Sequence, residues 1–265
     1  MYANSFGLTH YPLGKKTKTL WDNGQLEKLQ KQFDWLLQSP AIGLLTGHSG
    51  TGKTAALRQI TKTVNPHQYK IIYQSETDFT RHEIYSRLAD KINIETKYRC
   101  CELWRDIRDY MLDSVDSKNI TPVWILDEAQ NLPIQFLYDL PSFINFAFDS
   151  RDIIVIWLIG LPSLSTTIKR PMYEALSSRI GVNFYWQPVK NRDDFASLIK
   201  HAFTEAGSSQ TIVSDSGVSM LYMSCQSNIR LAHKILVHAF RLAHEKSHNH
   251  IPDEIIKEVI ETMKN

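Results

Sequence analysis

The sequence has few of the features that mark membrane or secreted proteins. It has no apolar run of about 18 residues or more, the length that a membrane-spanning helix needs. Its first residues lack the apolar region of a secretory signal peptide. Its three cysteines, Cys100, Cys101 and Cys225, lack the spacing of a metal site, and the adjacent pair cannot readily form a bridge. These absences predict a reduced, cytoplasmic protein with no membrane segment.

The charge and composition of the chain exclude few classes of function. The 30 lysines and arginines against 28 aspartates and glutamates give a net charge of +2, which neither requires nor excludes nucleic acid, because a local basic patch can be balanced elsewhere. The sequence has no internal repeat and no low-complexity tract. With 265 residues and 43% hydrophobic content, the chain can bury one substantial core or a core with a small appended domain.

One glycine-rich stretch fits the phosphate-binding pattern G-x-x-x-x-G-K-[ST]. Its residues are Gly47, His48, Ser49, Gly50, Thr51, Gly52, Lys53 and Thr54. The apolar run 41–45 before it predicts a buried strand, and residues 53–60 after it are rich in helix formers. Strand, glycine loop and helix are the setting that a nucleotide-binding P-loop requires.

The residue types of this stretch suit phosphate chemistry. Its glycines allow the backbone to turn successive N–H groups toward phosphate oxygens, at the positive end of a helix. Lys53 can reach the β- and γ-phosphates of ATP, and the Thr54 hydroxyl can ligate Mg²⁺. The alternative is a glycine-rich turn that matches by chance, and a second motif argues against it.

That second motif is an apolar run, residues 122–126, that ends in two adjacent carboxylates. Asp127 at the strand end would hold Mg²⁺, directly or through water. Glu128 would act as general base toward the attacking water. The alternative is a strand that ends in surface acids. Together with the glycine loop, the pair favours ATP hydrolysis over a non-catalytic nucleotide-gated switch, which needs no base.

Apolar runs and helical periodicities alternate along the first 190 residues. This alternation predicts an α/β fold, with a five-stranded parallel sheet flanked by helices. The predicted strands are 41–45, 69–74, 122–126, 152–160 and 182–186. The helices predicted before and between them are 25–38, 53–64, 80–92, 101–115 with Arg105 and Arg108 outward, 135–148, and 163–180 interrupted at Pro171.

After residue 190 only helical patterns follow, at 192–206, 214–224, 229–246 and 252–264. We therefore expect an N-terminal arm at 1–24, an α/β nucleotide-binding domain at 25–190 and a small all-helical lid domain at 191–265. For the arm, two roles stay open: it packs on the core, or its aromatic side chains line an adenine pocket.

The glycine loop, the acidic strand, the five-stranded core and the helical lid together resemble an AAA+ P-loop ATPase. Three short segments resemble, more narrowly, the ExeA/GspA-type ATPases. They are Phe6-Gly7-Leu8, Tyr11-Pro12-Leu13 and the string Asp127-Glu128-Ala129-Gln130-Asn131-Leu132. That group is similar to the transposon-encoded ATPases of the TniB/TnsC kind. The resemblance implies ATP as ligand and Mg²⁺ as cofactor.

The resemblance also implies roles for two arginines. Arg179 matches the position of an arginine finger that reaches the γ-phosphate in a neighbouring subunit. Arg230 matches the sensor-2 arginine at the start of a lid helix. For each, the alternative is a solvated surface arginine. Leu161 stands where relatives often carry a polar sensor-1 residue, so Ser163 substitutes or the water is oriented differently.

Secretion-linked relatives usually continue into a transmembrane segment and a cell-wall-binding domain, and this sequence has neither before its end at Asn265. The resemblance therefore favours a transposition ATPase that assembles with itself on double-stranded DNA, as a ring or filament, and recruits or activates a transposase. The alternative is an ATPase that assists a secretion or cell-envelope complex. The DNA-contact candidates are Thr77, Arg81, Lys97, Arg99 and Arg105. A solvated charged surface is their alternative reading.

Overall fold

The computed structural model describes residues 2–75, 77–208 and 210–263. The chain divides into two compact units. One comprises Met1–Gln25, His48–Gln59 and Gln187–Asn265, and the other comprises Leu26–Gly47 and Ile60–Trp186. The first unit thus gathers the N-terminal arm, most of the glycine loop and the C-terminal helices, whereas the second contains the sheet.

The sheet has five parallel strands in the order β2-β3-β4-β1-β5. The strands are β1 (Ile42–Thr46), β2 (Tyr69–Gln74), β3 (Thr121–Leu126), β4 (Val155–Gly160) and β5 (Ile180–Tyr185). Strands β1 and β4 are buried along their whole length. Burial on both faces explains why their sequences are continuous apolar runs rather than alternating ones. The predicted α/β fold with a five-stranded parallel sheet is confirmed.

Eleven α-helices lie in the described residues. They are α1 (Gln25–Gln38), α2 (Lys53–Thr61), α3 (Arg81–Ile92), α4 (Cys100–Asp116), α5 (Ile134–Phe143), α6 (Pro162–Ile168), α7 (Glu174–Ser177), α8 (Arg192–Glu205), α9 (Asp215–Cys225), α10 (Ile229–Glu245) and α11 (Asp253–Thr262). None of the helices described here is both long and apolar enough to cross a membrane.

An aromatic cluster fills the core on one side of the sheet. Tyr85 of α3, Trp124 of β3 and the α5 residues Phe136 and Phe143 are fully buried. Their ring centroids lie 5.1 to 6.3 Å apart, in tilted and edge-on arrangements. Burial raises the pKa of the Tyr85 hydroxyl, so this tyrosine stays neutral. The cluster fixes α3 and α5 against β3, the strand that precedes the acidic pair.

Helix α5 ends at Phe143, five residues before the predicted end at residue 148. The Arg108 guanidinium explains this end, because it donates hydrogen bonds to the carbonyls of Ser142, Phe143 and Asn145, at 3.0, 2.6 and 2.6 Å. A helix leaves its last carbonyls without intrahelical partners, and Arg108 supplies donors for them. The prediction that Arg108 points outward was therefore wrong. Burial lowers the pKa of this arginine.

Other predicted boundaries also differ from the structure, among them those of β4 and of the helical pattern at 163–180. Strand β4 begins at Val155 rather than at residue 152, although Ile153 and Ile154 are already buried. The helical pattern of 163–180 forms α6, a 3-10 turn and the short α7. Pro171 causes that interruption, because a proline forces the preceding residue, here Arg170, out of the helical conformation (ψ 144°).

The helical unit has its own core, and the N-terminal arm is part of it. Phe6 is 7% exposed and packs edge-on against Phe240 of α10, with ring centroids 5.0 Å apart. The Thr9 N–H and hydroxyl both donate to the Ala206 carbonyl, at 2.8 and 2.9 Å. Two roles were left open for the arm. The structure shows Phe6 in the first of them, packed against a core.

Candidate functional site

The glycine loop connects the end of β1 at Thr46 with the start of α2 at Lys53. Gly50 and Gly52 have φ angles of 75° and 103°, a region that glycine enters without steric cost. Two side chains of the loop donate hydrogen bonds to the same backbone carbonyl. The Thr51 hydroxyl and the Lys53 ammonium each donate to the His48 carbonyl, at 2.8 Å.

The start of α10 lies against the glycine loop. The Arg230 N–H donates to the Gly50 carbonyl at 3.2 Å. Asn228 caps α10, because its side-chain oxygen accepts from the Leu231 N–H at 3.1 Å. A Cβ placed on Gly50 would lie 2.1 Å from that same oxygen. The predicted sensor-2 arginine therefore lies in the first turn of a helix whose cap packs on the loop.

Gly50→Ala is expected to lower the free energy of unfolding by about 1–3 kcal/mol more than Gly24→Ala. Both glycines have positive φ, but a Cβ on Gly24 meets nothing within 4 Å, whereas one on Gly50 meets the Asn228 amide. Urea denaturation followed by circular dichroism measures both changes. Equal losses for the two variants would contradict the close packing of Asn228 on the loop.

The acidic pair lies at the carboxyl end of β3. The Asp127 N–H donates to the Gln74 carbonyl at 2.8 Å, which extends the ladder with β2 by one residue. Asp127 is 6% exposed. Its carboxylate accepts from the Tyr73 hydroxyl at 2.8 Å and from the Glu128 N–H at 2.9 Å. These two donors hold the carboxylate at the strand end, and a carboxylate is the kind of oxygen ligand that Mg²⁺ prefers.

Glu128 has a left-handed backbone, with φ 53° and ψ 38°, which is uncommon for a residue other than glycine. The Thr77 hydroxyl stabilises this turn by donating to the Glu128 carbonyl at 3.0 Å. Thr77 is 2% exposed, so the structure buries the side chain that the sequence offered as a DNA contact. The exposed Glu128 carboxylate accepts from the Gln130 amide at 2.7 Å.

Tyr73 and Gln130 were not among the site residues predicted from the sequence. Tyr73 is the fifth residue of β2, and only the pairing of β2 with β3 reveals its contact with Asp127. Gln130 is two residues from Glu128 in the Asp-Glu-Ala-Gln string, a proximity that could have drawn attention to it.

Arg179 follows α7 and precedes β5. Its guanidinium donates to both carboxylate oxygens of Asp149, at 2.9 and 3.0 Å, and to the Ala175 carbonyl at 3.2 Å. The Arg179 side chain is 25% exposed and that of Asp149 is 54% exposed. The predicted arginine finger is thus paired with an exposed carboxylate of its own chain.

The four cations proposed as DNA contacts each have an acidic neighbour, and their side chains are 37–74% exposed. The pairs are Arg81–Asp139 at 2.6 Å, Lys97–Glu95 at 2.9 Å, Arg99–Glu102 at 3.8 Å and Arg105–Asp106 at 3.7 Å. Exposed ion pairs contribute only about 0–1 kcal/mol, so a phosphate can compete with these carboxylates for the cations.

Comparison with known proteins relates the fold and motifs to a family. Residues 37–168 match the family model described as an AAA domain. The chain is also 26% identical, over 227 residues, to general secretion pathway protein A of Aeromonas hydrophila. That match covers 84% of this chain and 41% of the relative, so the chain spans about two fifths of the relative's length.

Two solved structures share the fold over nearly the whole chain. Cdc6p from Pyrobaculum aerophilum has a TM-score of 0.71 at 18% identity, over 97% of this chain and 69% of that one. A chain in the structure of Drosophila ORC bound to DNA has a TM-score of 0.74 at 13% identity, over 100% of this chain and 65% of that one. The family match assigns an AAA domain to residues 37–168, and the shared fold extends the AAA+ P-loop likeness over nearly the whole chain.

Proposed function

We propose that this chain binds and hydrolyses ATP, assembles with itself on double-stranded DNA as a ring or filament, and regulates DNA transposition by recruiting or activating a transposase. The observation that carries the nucleotide-binding part is the geometry of the glycine loop. Gly50 and Gly52 have positive φ angles, and the loop leads directly into α2. Such a loop presents backbone N–H groups and the positive end of a helix to an anion.

The proposed reaction is attack by water on the γ-phosphorus of ATP. A P–O bond forms to the water oxygen, and the bond from phosphorus to the oxygen that bridges the β- and γ-phosphates breaks. The Glu128 carboxylate takes the water proton, and Lys53 neutralises charge on the β- and γ-phosphates. The Thr54 hydroxyl and the Asp127 carboxylate are each proposed as ligands of Mg²⁺, which withdraws charge from phosphate oxygens when bound.

Two arginines are proposed to act on ATP, one in its own chain and one in a neighbouring copy. Arg230 is the proposed sensor of bound nucleotide, since its N–H bonds the glycine loop at Gly50. Arg179 is the proposed arginine finger toward ATP in a neighbouring copy. Its guanidinium would then exchange Asp149 for a phosphate, which carries more charge and accepts bidentate bonds equally well. ATP-dependent assembly of several copies follows from this role.

DNA is the proposed platform for assembly. Arg81, Lys97, Arg99 and Arg105 lie at the start of α3, in the connection between α3 and α4, and on α4. Sequence-independent binding requires exposed cations of this kind against backbone phosphates. The structure of Drosophila ORC is one of a protein bound to DNA and supports the proposal by analogy of fold.

The test is binding to random-sequence duplex DNA at several salt concentrations, with and without a non-hydrolysable ATP analogue, read together with particle size. The proposal predicts large assemblies only when both the analogue and DNA are present, with an affinity that falls steeply as salt rises. Protein that is saturated with the analogue but stays monomeric on DNA would contradict it.

Arg99→Ala and Arg105→Ala are each expected to weaken DNA binding for all sequences alike and to reduce the slope of log affinity against log salt by about 1. Each removes one cation that would otherwise release a counterion from DNA. Arg241→Ala is the matched control, because Arg241 is a half-exposed cation that pairs with Glu245 in α10, outside the proposed DNA surface. If Arg241→Ala lost affinity for DNA while Arg99→Ala and Arg105→Ala did not, the proposed DNA contacts at these two arginines would be contradicted.

A second candidate function has a specific observation in its favour. The relative in Aeromonas hydrophila is named for the general secretion pathway. An ATPase that assists a secretion or cell-envelope complex would bind ATP and a protein partner without affinity for duplex DNA. The DNA titration above separates the two candidates, because tight nucleotide binding with no DNA binding is the result that this second function predicts.

A further inference from the structure

The Gln130 side chain connects the Glu128 carboxylate with the end of strand β4. Its amide NH₂ donates to a Glu128 carboxylate oxygen at 2.7 Å. Its amide oxygen accepts from the Leu161 N–H at 3.0 Å, and Leu161 is the residue directly after β4. One side chain therefore spans two elements that meet at the same edge of the sheet.

The orientation of this amide is fixed by its partners. A backbone N–H can only donate, so the end of the amide that meets Leu161 must be the oxygen. A carboxylate can only accept, so the end that meets Glu128 must be the NH₂ group. A flipped amide would lose both bonds. The amide thus delivers a donor, in one orientation, to the carboxylate that the proposed reaction uses.

The surroundings are shaped to admit this side chain. A Cβ on Gly160 would lie 2.6 Å from the Gln130 amide oxygen and 3.3 Å from the Gln130 backbone nitrogen. The last residue of β4 must therefore lack a side chain for Gln130 to reach Leu161. The polar link from β4 to the acidic pair uses a backbone N–H, so the apolar side chain of Leu161 does not interrupt it.

Glu128 needs such a partner because of its own setting. It is exposed, and its backbone lies in the left-handed region. An exposed glutamate samples several rotamers, and only those that aim the carboxylate at the attacking water support proton transfer. A charge-assisted hydrogen bond at 2.7 Å selects one of them.

We propose that Gln130 is a positioning residue for ATP hydrolysis: anchored to the Leu161 N–H, it holds the Glu128 carboxylate in the rotamer that accepts the water proton. The inference rests on the proposed ATPase function. It assigns to Gln130 an effect on turnover through Glu128, and none on the binding of nucleotide.

Two variants of the full chain separate this role from a structural one. Gln130→Glu keeps an acceptor for the Leu161 N–H but replaces the donor with a carboxylate that repels Glu128. Gln130→Met keeps the length and loses both bonds. Gln135→Glu is the matched control, because it introduces the same charge five residues away, at an exposed position in the first turn of α5.

We expect kcat to fall on the order of 10-fold to 100-fold in both Gln130 variants. The Kd for ATP, the KM and the melting temperature should stay close to those of Gln135→Glu, since the bonds lost act on the base and not on the phosphates. Gln130→Glu should be at least as impaired as Gln130→Met, because it adds repulsion.

Turnover within about twofold of the control in Gln130→Glu would overturn the inference while leaving the ATPase proposal intact. The inference would also be overturned if the fall in kcat came with weaker ATP binding and a lower melting temperature than in Gln135→Glu, since that pattern indicates a structural role. A wild-type chain that binds ATP but does not hydrolyse it would overturn the ATPase proposal and, with it, this role for Gln130.

Discussion

Lys53→Ala is expected to weaken ATP binding about 100-fold and to abolish both hydrolysis and ATP-dependent assembly. Each hydrogen bond between a charged group and its partner contributes about 1.5–3 kcal/mol, and Lys53 would contact both the β- and γ-phosphates. Its ammonium is already held in the glycine loop, because it donates a hydrogen bond to the His48 carbonyl at 2.8 Å. Little conformational entropy therefore remains to be lost when ATP binds.

Titration with a fluorescent ATP analogue measures the loss of affinity, and phosphate release measures the loss of turnover. Lys62→Ala is the matched control, because Lys62 is an exposed lysine just after the same helix, α2. If Lys53→Ala bound ATP as tightly as Lys62→Ala did, the loop at residues 47–54 would not be the phosphate site.

Glu128→Gln is expected to lower kcat about 10²- to 10⁴-fold, the usual contribution of a general base, while ATP affinity stays unchanged. Glutamine keeps the size of the side chain and an oxygen that can accept from the Gln130 amide, but it cannot take up the water proton. With ATP bound and not hydrolysed, assemblies on DNA should persist after ATP is added and outlast those of the wild type.

Single-turnover hydrolysis with chain in excess of ATP separates this loss from any change in product release. Glu27→Gln serves as the control, because it removes one exposed carboxylate from the same unit, outside the proposed DNA contacts. Turnover by Glu128→Gln above about a tenth of the wild-type rate would assign the base to another group.

The sheet and the C-terminal helices could be predicted from the sequence because their information is local. Buried parallel strands are continuous apolar runs, as in residues 155–160, and α10 repeats its apolar residues at helical spacing. The positions of the loop and of the acidic pair followed from the same patterns, since each motif directly adjoins a strand.

What the sequence could not reveal depends on long-range partners. Helix α5 ends where Arg108, 35 residues away, bonds its last carbonyls. The arm is held by Ala206, which lies 197 residues from Thr9. No periodicity in the sequence encodes either contact. The same holds for Gln130, whose role depends on the backbone of Leu161 at the end of another strand.

The proposed role of Arg179 depends on a partner copy. Arg179 is paired with Asp149 in a single chain, and only assembly would give it a phosphate to contact. The resemblance to a family singles out Arg179 as an arginine finger. The structure shows that a phosphate would have to compete with the Asp149 carboxylate for this guanidinium.

The proposed ATPase activity is tested by phosphate release from ATP with the wild-type chain, together with calorimetric titration of ATP, each with and without Mg²⁺. We expect an ATP affinity in the range of about 1 μM to 1 mM that Lys53→Ala loses, and phosphate release that requires Mg²⁺ and Glu128. No binding of ATP at about 1 mM, with or without Mg²⁺, would contradict it.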